Sequence, residues 1–201
     1  MSHHIYHTEG FILGSTAFGE ANRHFKILTK DFGLIQASAQ GVRFLKSKLR
    51  YSLQDFSFCE LSVVRGREFW RITGASKKFN LREASGISTE ASLVFVRVFA
   101  LLGRLLRGEE KNLELYSHIE SAAFFLRNDN LSSRLSSNLI RNFEYVLVLR
   151  ILSRLGYLGI SPDSLAFVES LHWNEELLIR MSRAVPMVIR EINNSLKAAD
   201  L

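Results

Sequence analysis

Up to about residue 80, apolar positions come in short runs that alternate with polar ones, the period of a strand with one buried face. Phe11/Leu13, Phe25/Ile27/Thr29 and Phe56/Phe58 show it most clearly. Strands are predicted over Gly10–Leu13, Phe25–Thr29, Leu34–Gln40, Phe56–Val64 and Glu68–Thr73. Lys30-Asp31-Phe32-Gly33 and Arg65-Gly66-Arg67 carry the turn chemistry of two hairpins, and Gly14–Gly19 reads as a further strand-to-strand turn. Five short strands without intervening helices predict a small closed barrel of the OB type.

Near Asn80 the period changes to that of a helix. Leu93, Val96, Phe99/Ala100 and Gly103 are expected to share one face, widened by Leu102 and Leu106. Helices are predicted over Leu113–Arg127 and Leu139–Leu155, the latter apolar on nearly every side and so central, with Gly156 as its C-cap. Ser161-Pro162-Asp163 has the residues of a helix start, and a last helix follows Asn174 toward Ala199 with Pro186 expected to kink or break it. The fold class is α+β with two domains. A five-stranded barrel occupies residues 1–80 and an all-α helical bundle residues 81–201.

Charge sharpens this division. Residues 1–82 hold 13 Lys and Arg against 6 Asp and Glu, whereas the remaining residues hold 13 against 14. One half is therefore suited to a polyanion. Within it, Gly41–Tyr51 carries Arg43, Lys46, Lys48 and Arg50 interleaved with Phe44, Leu45, Leu49 and Tyr51. From Lys30 to Asp55 the only other carboxylate is Asp31. Cations neutralise phosphates and aromatic faces stack on bases, so nucleic acid is the expected ligand of this segment. Arg23, Lys26 and Lys30 on the preceding strand and Arg65, Arg67 and Arg71 on the last hairpin are candidates to join it in one groove. Phe44 and Tyr51 are the candidate stacking residues.

Other chemistry is sparse. Gly14-Ser15-Thr16-Ala17-Phe18-Gly19 lacks the Lys-Ser/Thr of a phosphate loop, Glu20-Ala21 standing in its place. His3, His4 and His7 read as a solvated segment, Glu109-Glu110 as a solvated turn and Cys59 as a small core residue. No catalytic group, metal site or cofactor is predicted. The apolar runs Leu93–Leu106 and Tyr145–Leu155 fall short of the about 20 residues a bilayer span needs, and arginines interrupt them. In the helical half, Trp173, Phe124, Phe125 and Phe143 are expected mostly in the core. An apolar groove rimmed by Arg141, Arg150 and Arg154 is a candidate seat for a partner's acidic-hydrophobic tail.

Six blocks complete the reading: Thr8-Glu9-Gly10-Phe11-Ile12-Leu13-Gly14, Phe18-Gly19-Glu20-Ala21-Asn22-Arg23, Leu28-Thr29-Lys30-Asp31-Phe32-Gly33-Leu34-Ile35, Ala39-Gln40-Gly41-Val42-Arg43, Lys46-Ser47-Lys48-Leu49 and Leu53-Gln54-Asp55-Phe56. In that order, across residues 8–56, they resemble the RecO family of recombination mediators. Leu105–Glu110 and Leu149–Tyr157 resemble that family's helical half. The resemblance implies an OB domain that binds single- and double-stranded DNA and a protein that anneals complementary strands. It also implies action with RecR to load recombinase on DNA coated by the single-stranded DNA-binding protein SSB, without bond chemistry, in the cytoplasm at the nucleoid. Two features depart from the family. Leu158–Asn174 contains none of the cysteines of the zinc module many members carry there, and no basic tail is recognisable after Asn194. The residues themselves leave two other readings open. One is an adaptor whose basic β domain docks an acidic protein with only incidental DNA contact; the other is an RNA-binding OB protein.

Overall fold

The computed structural model describes residues 4–84, 86–128, 134–159 and 161–199. Five strands, β1 (Ile5–Phe18), β2 (Asn22–Thr29), β3 (Gly33–Ala39), β4 (Ser57–Val64) and β5 (Trp70–Asn80), close into a barrel in the order β1-β2-β3-β5-β4. All pairings are antiparallel except β3 with β5, which is parallel through Ala37–Trp70 and Ser38–Arg71. A short helix α1 (Leu49–Ser52) follows β3. The inward set is the alternating one: Ile12, Phe25, Ile27, Ile35, Ala37, Cys59, Leu61, Val63, Trp70 and Ile72, all buried.

The barrel's strands run further than their sequence signals. Gly14–Gly19 is not a turn: β1 continues to Phe18 and the chain reverses only at Gly19, whose φ of 59° needs glycine. A bulge between Ile12 and Gly14 hides the continuation, because it shifts the alternation by one residue. β4 starts at Ser57 because Phe56 has φ 68°, outside the extended region.

The chain divides into two compact units. One comprises residues up to Ala84 with Phe99–Leu113, and the other the stretch before Phe99 with everything from Glu114. Helix α2 (Thr89–Leu105) therefore contributes to both. In the barrel unit its Phe99 ring meets Phe11 at 5.9 Å and Phe56 at 6.0 Å, covering apolar residues on the barrel's outside. The buried positions of α2 are Ala91, Val94, Phe95, Val98, Phe99, Leu102 and Leu105. The expected face is thus rotated: Leu93 and Ala100 are exposed. The connection after α2 is stitched to the barrel. Lys111 pairs with Asp31 at 3.3 Å, and a Cβ on Gly33 would lie 2.1 Å from the Glu110 carbonyl oxygen.

The helical unit takes in α3 (Leu113–Arg127), α4 (Ser137–Arg154), α5 (Pro162–Val168) and α6 (Glu175–Ala198). Helix α4 is the central one, with Ile140, Phe143, Val146, Leu147, Leu149, Ile151 and Leu152 all buried. Ser136, Ser161 and Asn174 cap α4, α5 and α6, each accepting from a backbone N–H three residues on. Gly156, with φ 75°, follows the end of α4. Pro186 does not break α6, which runs on to Ala198. Phe143 is buried and stacks near Phe125 and Trp173, whereas Phe124 is exposed, because it falls on the outer side of α3. His118 on α3 is buried and accepts from Arg154 Nε through Nε2 at 3.1 Å. Burial, then the Arg150 and Arg154 charges, push its pKa down to about 4.

Two predictions follow from this packing. Gly33→Ala adds a Cβ against fixed backbone and a strained φ of 68°, so it should cost about 2 kcal/mol or more and lower the thermal midpoint by several degrees. An unchanged midpoint would contradict the stitched connection. His118 is neutral when folded, and its ordinary pKa is restored on unfolding. Stability should therefore be full above pH ~6.5 and fall as pH drops toward 4, on the order of 1–3 kcal/mol from this group. Chemical unfolding at pH 7.5 and 5 should show the loss and His118→Gln should shrink it; an equal pH dependence in the variant refutes the assignment.

Candidate nucleic-acid interface

The basic segment after β3 is anchored at both ends and open between. Val42 and Leu53 are buried in the barrel core, holding its two ends. The Gly41 N–H donates to Asn22 Oδ1 at 2.9 Å, and the Arg43 N–H to the Ala21 carbonyl at 2.9 Å. Arg43 also donates through Nη1 to the Gly19 carbonyl at 3.0 Å. The segment is thereby fixed to the β1–β2 turn. Between the anchors, tight turns from Gly41 to Ser47 and helix α1 leave Phe44 63% and Tyr51 70% exposed. Arg43, Lys46, Lys48 and Arg50 are exposed, and none has a carboxylate within ion-pair distance among the described residues. Two large rings held in water beside four cations form a surface with no packing role of its own.

Strand alternation decides where the remaining candidates go. On β2, Phe25 and Ile27 point into the barrel, so His24 and Lys26 point out. Arg23 has the inward parity. It is half-buried, and its Nε is buried without a partner. Arg23 and Lys26 therefore do not share a face. The outward row across β1, β2, β3 and β5 is Thr16, His24, Ser38 and Arg71. The His24 ring stands edge-on to Phe18 at 4.6 Å and to Phe69 at 4.9 Å. This joins the end of β1 to the β4–β5 loop, where Arg65, Arg67 and Arg71 are all exposed.

Two shallow grooves lie along this side of the barrel. One, of about 370 Å³, is lined by Ser38, Arg65, Arg67, Glu68, Phe69 and Arg71 among others. The other, of about 350 Å³, is lined by Lys26, Gln36, Phe69 and Arg107 among others. Arg65 pairs with Glu109 at 3.6 Å, and the Trp70 indole donates to the same carboxylate at 2.8 Å, so Glu109 is engaged and not merely solvated. Lys30 pairs with Glu9 at 3.6 Å and lines a third groove with Asp31 and Glu60.

The result is one band: Arg43 with Lys46, Lys48, Arg50, Phe44 and Tyr51, then Gly19 and Phe18, then His24, then Phe69 with Arg65, Arg67 and Arg71. Phe18, His24, Phe69 and Arg107 were not singled out from sequence. Alternation from Lys26 back to His24 was a usable signal; the meeting of Phe18 and Phe69 over His24 was not, since strand pairing creates it.

The arginines expected at a helical rim are arranged otherwise. Arg141 is exposed on α4. Arg150 is fully buried, donating to the carbonyls of Phe167 at 2.8 Å and His172 at 3.0 Å, with its guanidinium 4.2 Å from the Trp173 ring centre. Arg154 is tied to Glu114, His118 and the Val168 carbonyl. Both secure the chain after α4, and such buried donors hold their carbonyls at a high cost of removal. They form no open rim.

Chemistry beyond binding finds little here. The buried Cys59 thiol is pushed up to about 12, chiefly by burial, so it stays protonated and unreactive. Among the described residues no three His, Cys, Asp or Glu side chains gather as a metal site; His4 and His7 are exposed, and His3 lies outside the described residues. No described helix is long and apolar enough to cross a membrane.

Residues 1–78 match the family model of the recombination protein O N terminal domain. DNA repair protein RecO of Dehalococcoides mccartyi is 37% identical over 94 residues, which is 45% of this chain and 37% of that protein. The RecO of Alkaliphilus metalliredigens is 34% identical over 126 residues, 53% of this chain and 51% of the relative. That of Rubrobacter xylanophilus is 30% identical over 133 residues, 59% and 54% respectively. The matches thus span about half of these relatives or less. Over its N-terminal domain the chain is similar to the RecO proteins of DNA repair.

Proposed function

We propose that this chain is a RecO-like DNA repair and recombination mediator. It binds single- and double-stranded DNA without sequence specificity, anneals complementary strands, and helps RecR load recombinase on DNA coated by SSB. The observation that carries this reading is the band of exposed cations and rings on the barrel, in which Arg43, Lys46, Lys48 and Arg50 have no carboxylate partner among the described residues. Arg43, Lys46, Lys48 and Arg50 would follow the phosphates of a strand, with Lys26, Arg65 and Arg67 extending the path and half-buried Arg23 adding charge at its edge. Phe44 and Tyr51 would stack on bases, which requires no particular base because every base offers a π-face. Neutralising phosphates on two strands lowers their mutual repulsion and lets complements pair. The mechanism has no covalent step and needs no cofactor.

Salt dependence tests it. If about five phosphates of a single strand are neutralised, log affinity should fall with log salt at a slope of roughly −3.5. Changing Arg43, Lys46, Lys48 and Arg50 together to Ala should remove about 2.8 of that slope. Phe44→Ala with Tyr51→Ala should leave the slope intact yet cost on the order of 1–3 kcal/mol of binding per stacked base. Unchanged binding and slope in the quadruple variant would sink the proposal. RecR capture without DNA binding near physiological salt would turn the reading to the adaptor, and preference for a matched RNA strand would turn it to RNA.

A further inference from the structure

We propose that α6 carries a second, separate surface for the phosphate backbone of duplex nucleic acid. Its inner face is Leu177, Leu178, Met181, Val188, Ile192 and Ser195, all buried. On the outer side, Arg183, Arg190 and Lys197 recur every seven residues, which is about two turns and about 10.5 Å of axis, with Arg180 beside them. All four are exposed. None has a carboxylate within ion-pair distance among the described residues, whereas Arg97 and Arg154 of the same unit pair with Glu144 and Glu114. Of the acids of α6, Glu176 continues the row at its N-terminal end, seven residues before Arg183 and four before Arg180. Glu175 and Glu176 lie in the first turn, where the helix dipole favours them, and Glu191 accepts from Ser161 Oγ at 2.8 Å. The near-neutral charge of the helical half conceals the run of Arg183, Arg190 and Lys197.

Three properties select the occupant. A row of like charges at even spacing suits a polyanion whose charges are also evenly spaced. A membrane surface is disfavoured, because an interfacial helix needs its apolar face free and that of α6 is buried in its own unit. A single strand is disfavoured because α6 has no aromatic residue on which bases could stack, unlike the barrel band. What remains is contact to phosphates alone, the mode of sequence-independent duplex binding. The surface is independent of the barrel reading.

The test uses the full chain, a 20-base-pair mixed-sequence duplex and one of its strands, each titrated over a salt series. Changing Arg183, Arg190 and Lys197 together to Ala should make the duplex slope shallower by about 2.7 and weaken duplex binding at least tenfold near 0.1 M salt, while single-strand binding stays within about twofold. Replacing Arg183 and Arg190 by Lys should keep the slope. If the triple variant folds poorly, Arg190→Gln alone should remove about 0.9 of slope. An unchanged duplex slope overturns the proposal. So does equal loss for strand and duplex, or loss of binding to phosphatidylserine vesicles with duplex binding intact. Failure of the barrel variants leaves these outcomes unaffected, so the two readings fail separately.

Discussion

The bulge between Ile12 and Gly14 is the constraint on which the barrel surface depends. Strand β1 is 14 residues long and serves two partners, β4 through Ile5–Phe11 and β2 through Gly10–Phe18. Before the bulge, Ile12 points into the core; after it, Ser15 and Ala17 take the inward parity and Thr16 and Phe18 point out. Without the extra residue the second half of β1 would turn over, because a one-residue slip exchanges the two faces of a strand. Phe18 would then leave His24, and the link between the β1–β2 turn and the β4–β5 loop would be lost.

Closure by the parallel β3–β5 pair has a similar role. It brings Arg71 beside Ser38 and sets the β4–β5 loop next to the outward face of β2. The core cluster of the barrel is apolar, so most of the charge in its sequence lies outside or at its ends. The basic segment from Gly41 to Tyr51 is held at Val42 and Leu53 by burial and at Arg43 by backbone acceptors, leaving the other cations unpaired. On α6 the cations are likewise unpaired but have no rings among them. The two proposals thus assign one chain two chemistries of polyanion contact, one by stacking on exposed bases and one restricted to phosphates.

Local features were legible in the sequence. Five strands, the two hairpin turns, the span of α3 and the caps at Ser161, Asn174 and Gly156 all rest on neighbouring residues, and short-range physics decides them. Long-range features were not. The extent of β1 was masked by its bulge, and the buried face of α2 was misjudged because Phe95 and Phe99 pack against different units. Arg150 looked like a surface cation, yet Trp173 and two carbonyls brought from some 20 residues downstream shelter it. Summed charge located the basic barrel but missed the row on α6, since a sum is blind to how cations are spaced along a helix.

Annealing of complementary oligonucleotides, followed by fluorescence over a salt series with and without SSB, tests the central claim most directly. The account predicts acceleration of pairing by this chain at low salt, declining steeply as salt rises and persisting when SSB coats the strands. Pairing no faster than that of the free strands at any salt concentration would contradict it.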